Sequence, residues 1–72
     1  MKTIPDEVEI HYHGFIARIY LDQYSLYAFH IQHWNNPITA IGEKCFTLDD
    51  AKERVYAVIR LMERELYRSE RR

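Results

Sequence analysis

The stretch Val8-Glu9-Ile10-His11-Tyr12-His13-Gly14-Phe15-Ile16-Ala17-Arg18-Ile19-Tyr20-Leu21 decides the fold. Its apolar residues occupy even positions up to Tyr12 and, after His13-Gly14, odd ones: Phe15, Ala17, Ile19 and Leu21. Side chains alternate faces along a strand, so this change of parity calls for a two-residue turn between two antiparallel strands. A turn at His13-Gly14 pairs Tyr12 with Phe15, Ile10 with Ala17 and Val8 with Ile19, all on one face. The other face carries Glu9, His11, Ile16, Arg18 and Tyr20, too mixed for a plain solvated surface and too polar for a core.

The alternation resumes downstream. Asp22-Gln23-Tyr24-Ser25 has turn chemistry, and Tyr27, Phe29 and Ile31 continue the core face on a third strand. A three-residue loop, Asp22 to Tyr24, sets Tyr27 opposite Ile19, Phe29 opposite Ala17 and Ile31 opposite Phe15. A five-residue loop keeps the faces and slides the partners by two. Either way, Leu26, Ala28, His30, Gln32 and Trp34 join the second face. Asn35-Asn36-Pro37 ends the strand, because proline cannot donate to a ladder. Ile38 to Ile41 is a candidate short fourth strand, stopped by Gly42.

Thr47-Leu48-Asp49-Asp50 opens a helix: Thr47 caps, Asp50 sits where a capping box places its acid, and both acids favour the positive dipole end. At 100° per residue Leu48, Ala51, Val55, Val58, Ile59, Met62 and Leu66 fall on one arc about 100° wide, the stripe of a helix lying on a sheet. From Leu48 to Arg68 that helix is roughly 31 Å long against roughly 26 Å for an eight-residue strand, so its end overhangs the sheet. The expected fold is a single α+β domain over residues 1–72: two layers, a three- or four-stranded antiparallel meander (β-β-β-(β)-α), and one long C-terminal helix on one face.

Size and composition bound the function. A 72-residue chain is one domain and buries only about 60% of its unfolded surface, which favours oligomerisation as a source of further burial. Hydrophobic residues at 47% exclude disorder. The single cysteine, Cys45, forms no internal disulfide and reads as a small core filler beside the helix start. Residues 1–7 lack a signal-peptide apolar run, and no stretch reaches the roughly 20 apolar residues of a membrane span; the expected location is the cytoplasm. A net charge of −1 removes the basic field common to nucleic-acid binders. Arg60, Arg64, Arg68, Arg71 and Arg72 crowd the carboxyl end, but Glu63, Glu65 and Glu70 interleave with them, and Arg60–Glu63 and Asp50–Arg54 pairs are expected.

The run Gly42-Glu43-Lys44-Cys45-Phe46-Thr47-Leu48-Asp49-Asp50-Ala51 resembles the strand-to-helix junction of HicB-like antitoxins, where a glycine, a capping threonine and an acidic-acidic-alanine run open the helix after three strands. The resemblance covers these ten residues, and that family's strand after the helix has no counterpart in this chain. It amounts to a shared way of capping a helix.

No phosphate loop, serine triad or positioned carboxylate pair is present, so no enzyme activity, catalytic residue or cofactor is expected. His11 and His30 are expected to share the second face with Ile16 between them, about 9–10 Å apart by strand spacing, too far for one ion; His13 lies in the turn and His33 points to the other side. The helix covers one face only. The sheet surface left over, His11, Ile16, Arg18, Tyr20, Leu26, His30 and Trp34, is the expected interaction surface, with a second on the helix at Tyr56, Arg60, Arg64 and Tyr67. The expected function is a small non-enzymatic protein-interaction module, self-associating as a dimer and binding a protein partner in an accessory, inhibitor or antitoxin-like role. One alternative is a nucleic-acid-binding accessory protein using the uncovered face or the arginine-rich helix end. The other is a histidine metal site.

Overall fold

The computed structural model describes residues 7–70, with side chains through Arg68. The amino-terminal segment read above for a leader, apart from Glu7, lies outside the described residues, as do Arg71 and Arg72 of the arginine cluster. Strands β1 (Glu7–Tyr12), β2 (Phe15–Leu21), β3 (Tyr27–His33) and β4 (Thr39–Cys45) form one antiparallel sheet in the order β1-β2-β3-β4. A single helix, α1 (Leu48–Glu70), follows and packs across one face.

The first hairpin has the register its parity requires, with Tyr12 facing Phe15, Ile10 facing Ala17 and Val8 facing Ile19. Its turn residues have φ of 52° at His13 and 83° at Gly14, the pair of positive angles that a tight turn between right-twisted strands demands.

The second connection takes the longer of the two loops. Leu21 faces Tyr27, Ile19 faces Phe29 and Ala17 faces Ile31, so the three-residue alternative is displaced by two residues. Asp22 is the cause. Its carboxylate accepts the N–H groups of Tyr24 at 2.8 Å and Leu26 at 3.0 Å, and its own N–H donates to the carbonyl of Leu26 at 2.8 Å. Ser25, at φ 63°, turns the chain between them. Leu26 therefore closes the loop and does not extend the open face of the sheet.

The fourth strand is real and longer than expected, because Gly42 does not stop it. Gly42 lies opposite Phe29, and a Cβ built on it would sit 2.3 Å from the ring carbon Cζ of that phenylalanine. The glycine makes room for the ring, and the strand runs on to Cys45. Between the Phe29–Gly42 and Tyr27–Cys45 pairs the register slips, with Lys44 at φ 64° in the resulting bulge.

The core lies between sheet and helix. Phe15, Ala17, Ile19, Phe29, Ile31 and Cys45 from the sheet meet Ala51, Val55, Ile59 and Met62 from α1, and Leu48, Val58 and Leu66 flank them. All seven residues of the helical stripe are thus used. Thr47 caps the helix, its Oγ1 accepting the Asp50 N–H at 3.0 Å. At 23 residues α1 is about 34 Å long, against about 23 Å for a seven-residue strand, so it overhangs the sheet. Among the described residues no helix is long and apolar enough to cross a membrane.

Candidate functional site

The face away from the helix is ordered in cross-strand rows. One row runs Glu9, Arg18, His30, Ile41; the next runs His11, Ile16, Gln32, Thr39; a third holds Glu7, Tyr20 and Ala28. Four of the seven residues expected there, His11, Ile16, Arg18 and Tyr20, therefore stand together with a fifth, His30. Tyr20 is 40% exposed and Ile16 half-buried, while Arg18 stands in solvent beside Glu7, 3.8 Å from its carboxylate. Ala28 is buried, paired with Tyr20 on β2 and level with the register slip of β4.

Ile41 completes the surface. It is 73% exposed, sits opposite His30 on β4, and leaves an isoleucine side chain standing in water beside an imidazole. Carrying the alternation through Gly42 would have found it, since Ala40 and Gly42 face the core and Thr39 and Ile41 face away.

One expected member lies elsewhere, and Trp34 stands at the rim of the surface, where it lines one hollow with His11 and Ile16. Leu26 is in the β2–β3 loop, as described. Trp34 follows β3, where its N–H donates to the carbonyl of Gly14 at 3.1 Å and its indole lies over that glycine, 70% exposed. It stands at the hairpin end of the sheet, next to His33, whose ring meets Phe15 edge-on on the core side.

The histidines are spread by the register. His11 faces Ile16, whose other neighbour is Gln32, while His30 faces Arg18; the expected row through Ile16 to His30 is displaced by two residues with the rest of β3. His11 bonds instead to Glu9, Nε2 to carboxylate at 3.2 Å, and His13 Nδ1 to Glu63 at 2.7 Å. Among the described residues no three of His, Cys, Asp and Glu converge on a point that could hold a metal ion.

The helix surface divides in two. Tyr56 is not free: it meets the Tyr12 ring edge-on at 5.0 Å, and Tyr12 in turn stacks on His13. Glu63 bonds His13 in place of the expected Arg60, and the ion pair within the described helix is Arg68 with Glu65 at 3.6 Å. Arg60, Arg64 and Tyr67 remain on the outer side with Ala57 and Leu61, which spacing alone did not single out; Leu61 is 58% exposed. A second exposed group missed from sequence, Tyr24 and Phe46, marks the end of the sheet where β3 begins and β4 ends.

Comparison with protein-family models, with curated proteins and with solved structures finds no match to this chain.

Proposed function

We propose that the chain is a small non-enzymatic protein-interaction module that binds a protein partner through the open face of its sheet. One observation carries this reading: α1 covers one face of the sheet, and the other presents Ile16, Tyr20 and Ile41 among Arg18, His30 and Gln32. Apolar side chains in water around a few polar groups are the composition of an interface centre with a polar surround. Burying Ile41 and the exposed part of Tyr20 contributes binding free energy at about 25 cal/mol per Å², and Arg18 and His30 supply directional hydrogen bonds.

Nucleic acid fits this face less well. The Arg18 guanidinium is offset by Glu7, Glu9 stands in the same row, and the net charge is −1, so phosphate meets little free cation. A cytoplasmic, accessory or inhibitor-like role is part of the proposal, as is self-association.

The test is a paired affinity purification from the native host with the intact chain and an Ile16→Asp/Ile41→Asp variant whose fold is checked by circular dichroism. A protein retained by the intact chain and lost from the variant is expected. The same proteins retained by both would place the interface elsewhere.

A further inference from the structure

We infer that β1 is a self-pairing edge, through which two copies of this chain join their sheets about a two-fold axis at Ile10. The inference rests on the interaction-module reading and names the surface used for self-association.

The backbone supplies the first reason. In a two-residue hairpin the pair beside the turn exchanges both hydrogen bonds, as does every second pair after it, so Tyr12, Ile10 and Val8 spend their backbone groups on β2. The N–H and C=O groups of Glu9 and His11 point outward from the edge. β1 is regular over six residues and contains neither proline nor lysine, whereas the opposite edge, β4, carries a bulge with Lys44 in it, a device that blunts pairing.

Packing supplies the second. The helix lies over β2, β3 and β4 and leaves β1 at its flank. Val8, Ile10 and Tyr12 are consequently only half-buried, although they belong to the core face.

Charge fixes both the occupant and the register. Antiparallel pairing of β1 with a second β1 must match outward-pointing groups, which permits Glu9 opposite Glu9, His11 opposite His11, or Glu9 opposite His11. The first juxtaposes carboxylates and the second imidazoles. The third gives two carboxylate–imidazole pairs related by symmetry and places Ile10 against Ile10 and Val8 against Tyr12 on the half-buried side. Each chain's own Glu9–His11 bond of 3.2 Å is exchanged for the equivalent bond across the axis.

Light scattering over a concentration series, combined with oxidative cross-linking, tests this. The wild type is expected to be dimeric at high concentration. His11→Pro removes an outward N–H and none of those bonded to β2, and is expected to be monomeric. Glu9→Arg, which keeps the backbone, is expected to weaken the dimer about tenfold, and Glu9→Arg/His11→Glu to restore it. At the axis the two Ile10 Cα atoms form a non-hydrogen-bonded pair about 4.5 Å apart, within disulfide range. Ile10→Cys is therefore expected to oxidise to a linked dimer while Val8→Cys stays unlinked. A wild type monomeric at every concentration, or a dimer that Ile41→Cys links and Ile10→Cys does not, overturns the edge. The latter result leaves the open face as an interface, so failure of this inference is distinct from failure of the proposed function.

Discussion

The ring of Phe29 occupies the space that a side chain at Gly42 would need: a Cβ on Gly42 would lie 2.3 Å from Cζ and 2.6 Å from Cε2. Phe29 is itself 1% exposed and cannot swing into solvent without opening the core. Gly42→Ala is therefore expected to destabilise the fold by about 1–3 kcal/mol, the range for overpacking a filled interior. Urea denaturation of both proteins measures it. An unchanged midpoint would mean that the ring has room to move.

Asp22 sets the pairing of β2 with β3 by accepting two backbone N–H groups within its own loop. Asp22→Ala leaves both without that acceptor. A loss of about 1–2 kcal/mol is expected, because the loop is partly solvated and water replaces some of the bond. Asp22→Asn, which retains a side-chain acceptor, should recover most of it in the same denaturation assay.

Thr47 caps the helix by accepting the Asp50 N–H at 3.0 Å. Thr47→Ala is expected to cost about 1 kcal/mol and Thr47→Ser much less. Thermal melting followed at the helix signal provides the comparison.

The core and the open face should respond oppositely to substitution. Ile59 is fully buried against the sheet, and Ile59→Ala is expected to cost about 2–5 kcal/mol, much of the stability of a domain this small. Ile41→Asp removes an exposed isoleucine from a strand and is expected to change stability by less than about 1 kcal/mol. Equal damage from the two would show that Ile41 is a packing residue.

What the sequence made legible was periodicity. The His13-Gly14 parity change specified the first hairpin because a one-residue error would have turned Phe15, Ala17 and Ile19 into water. The helical stripe was equally explicit, since every member had to reach the same sheet. The β2–β3 loop is ambiguous in sequence because a slide of two residues preserves both faces; two backbone hydrogen bonds accepted by the Asp22 carboxylate decide it, and face patterning contains no trace of them. Local propensity treats glycine as punctuation and so makes Gly42 look like a stop. Its actual constraint is the ring of Phe29 on the neighbouring strand, a contact across 13 residues of chain. That misreading also hid Ile41. Trp34 lies one residue past the end of β3, where the chain bends over Gly14, and still joins His11 and Ile16 at the rim of the open face, as alternation requires.

We propose that a protein binds the sheet face left bare by the helix. A photo-activatable residue placed at Ile41, with Glu53 on the outer side of the helix as the comparison site, tests it in the native host. A discrete protein adduct that resists nuclease is expected from position 41, and none of the same mass from position 53. An adduct at 53 without one at 41, or one at 41 that nuclease removes, would contradict it.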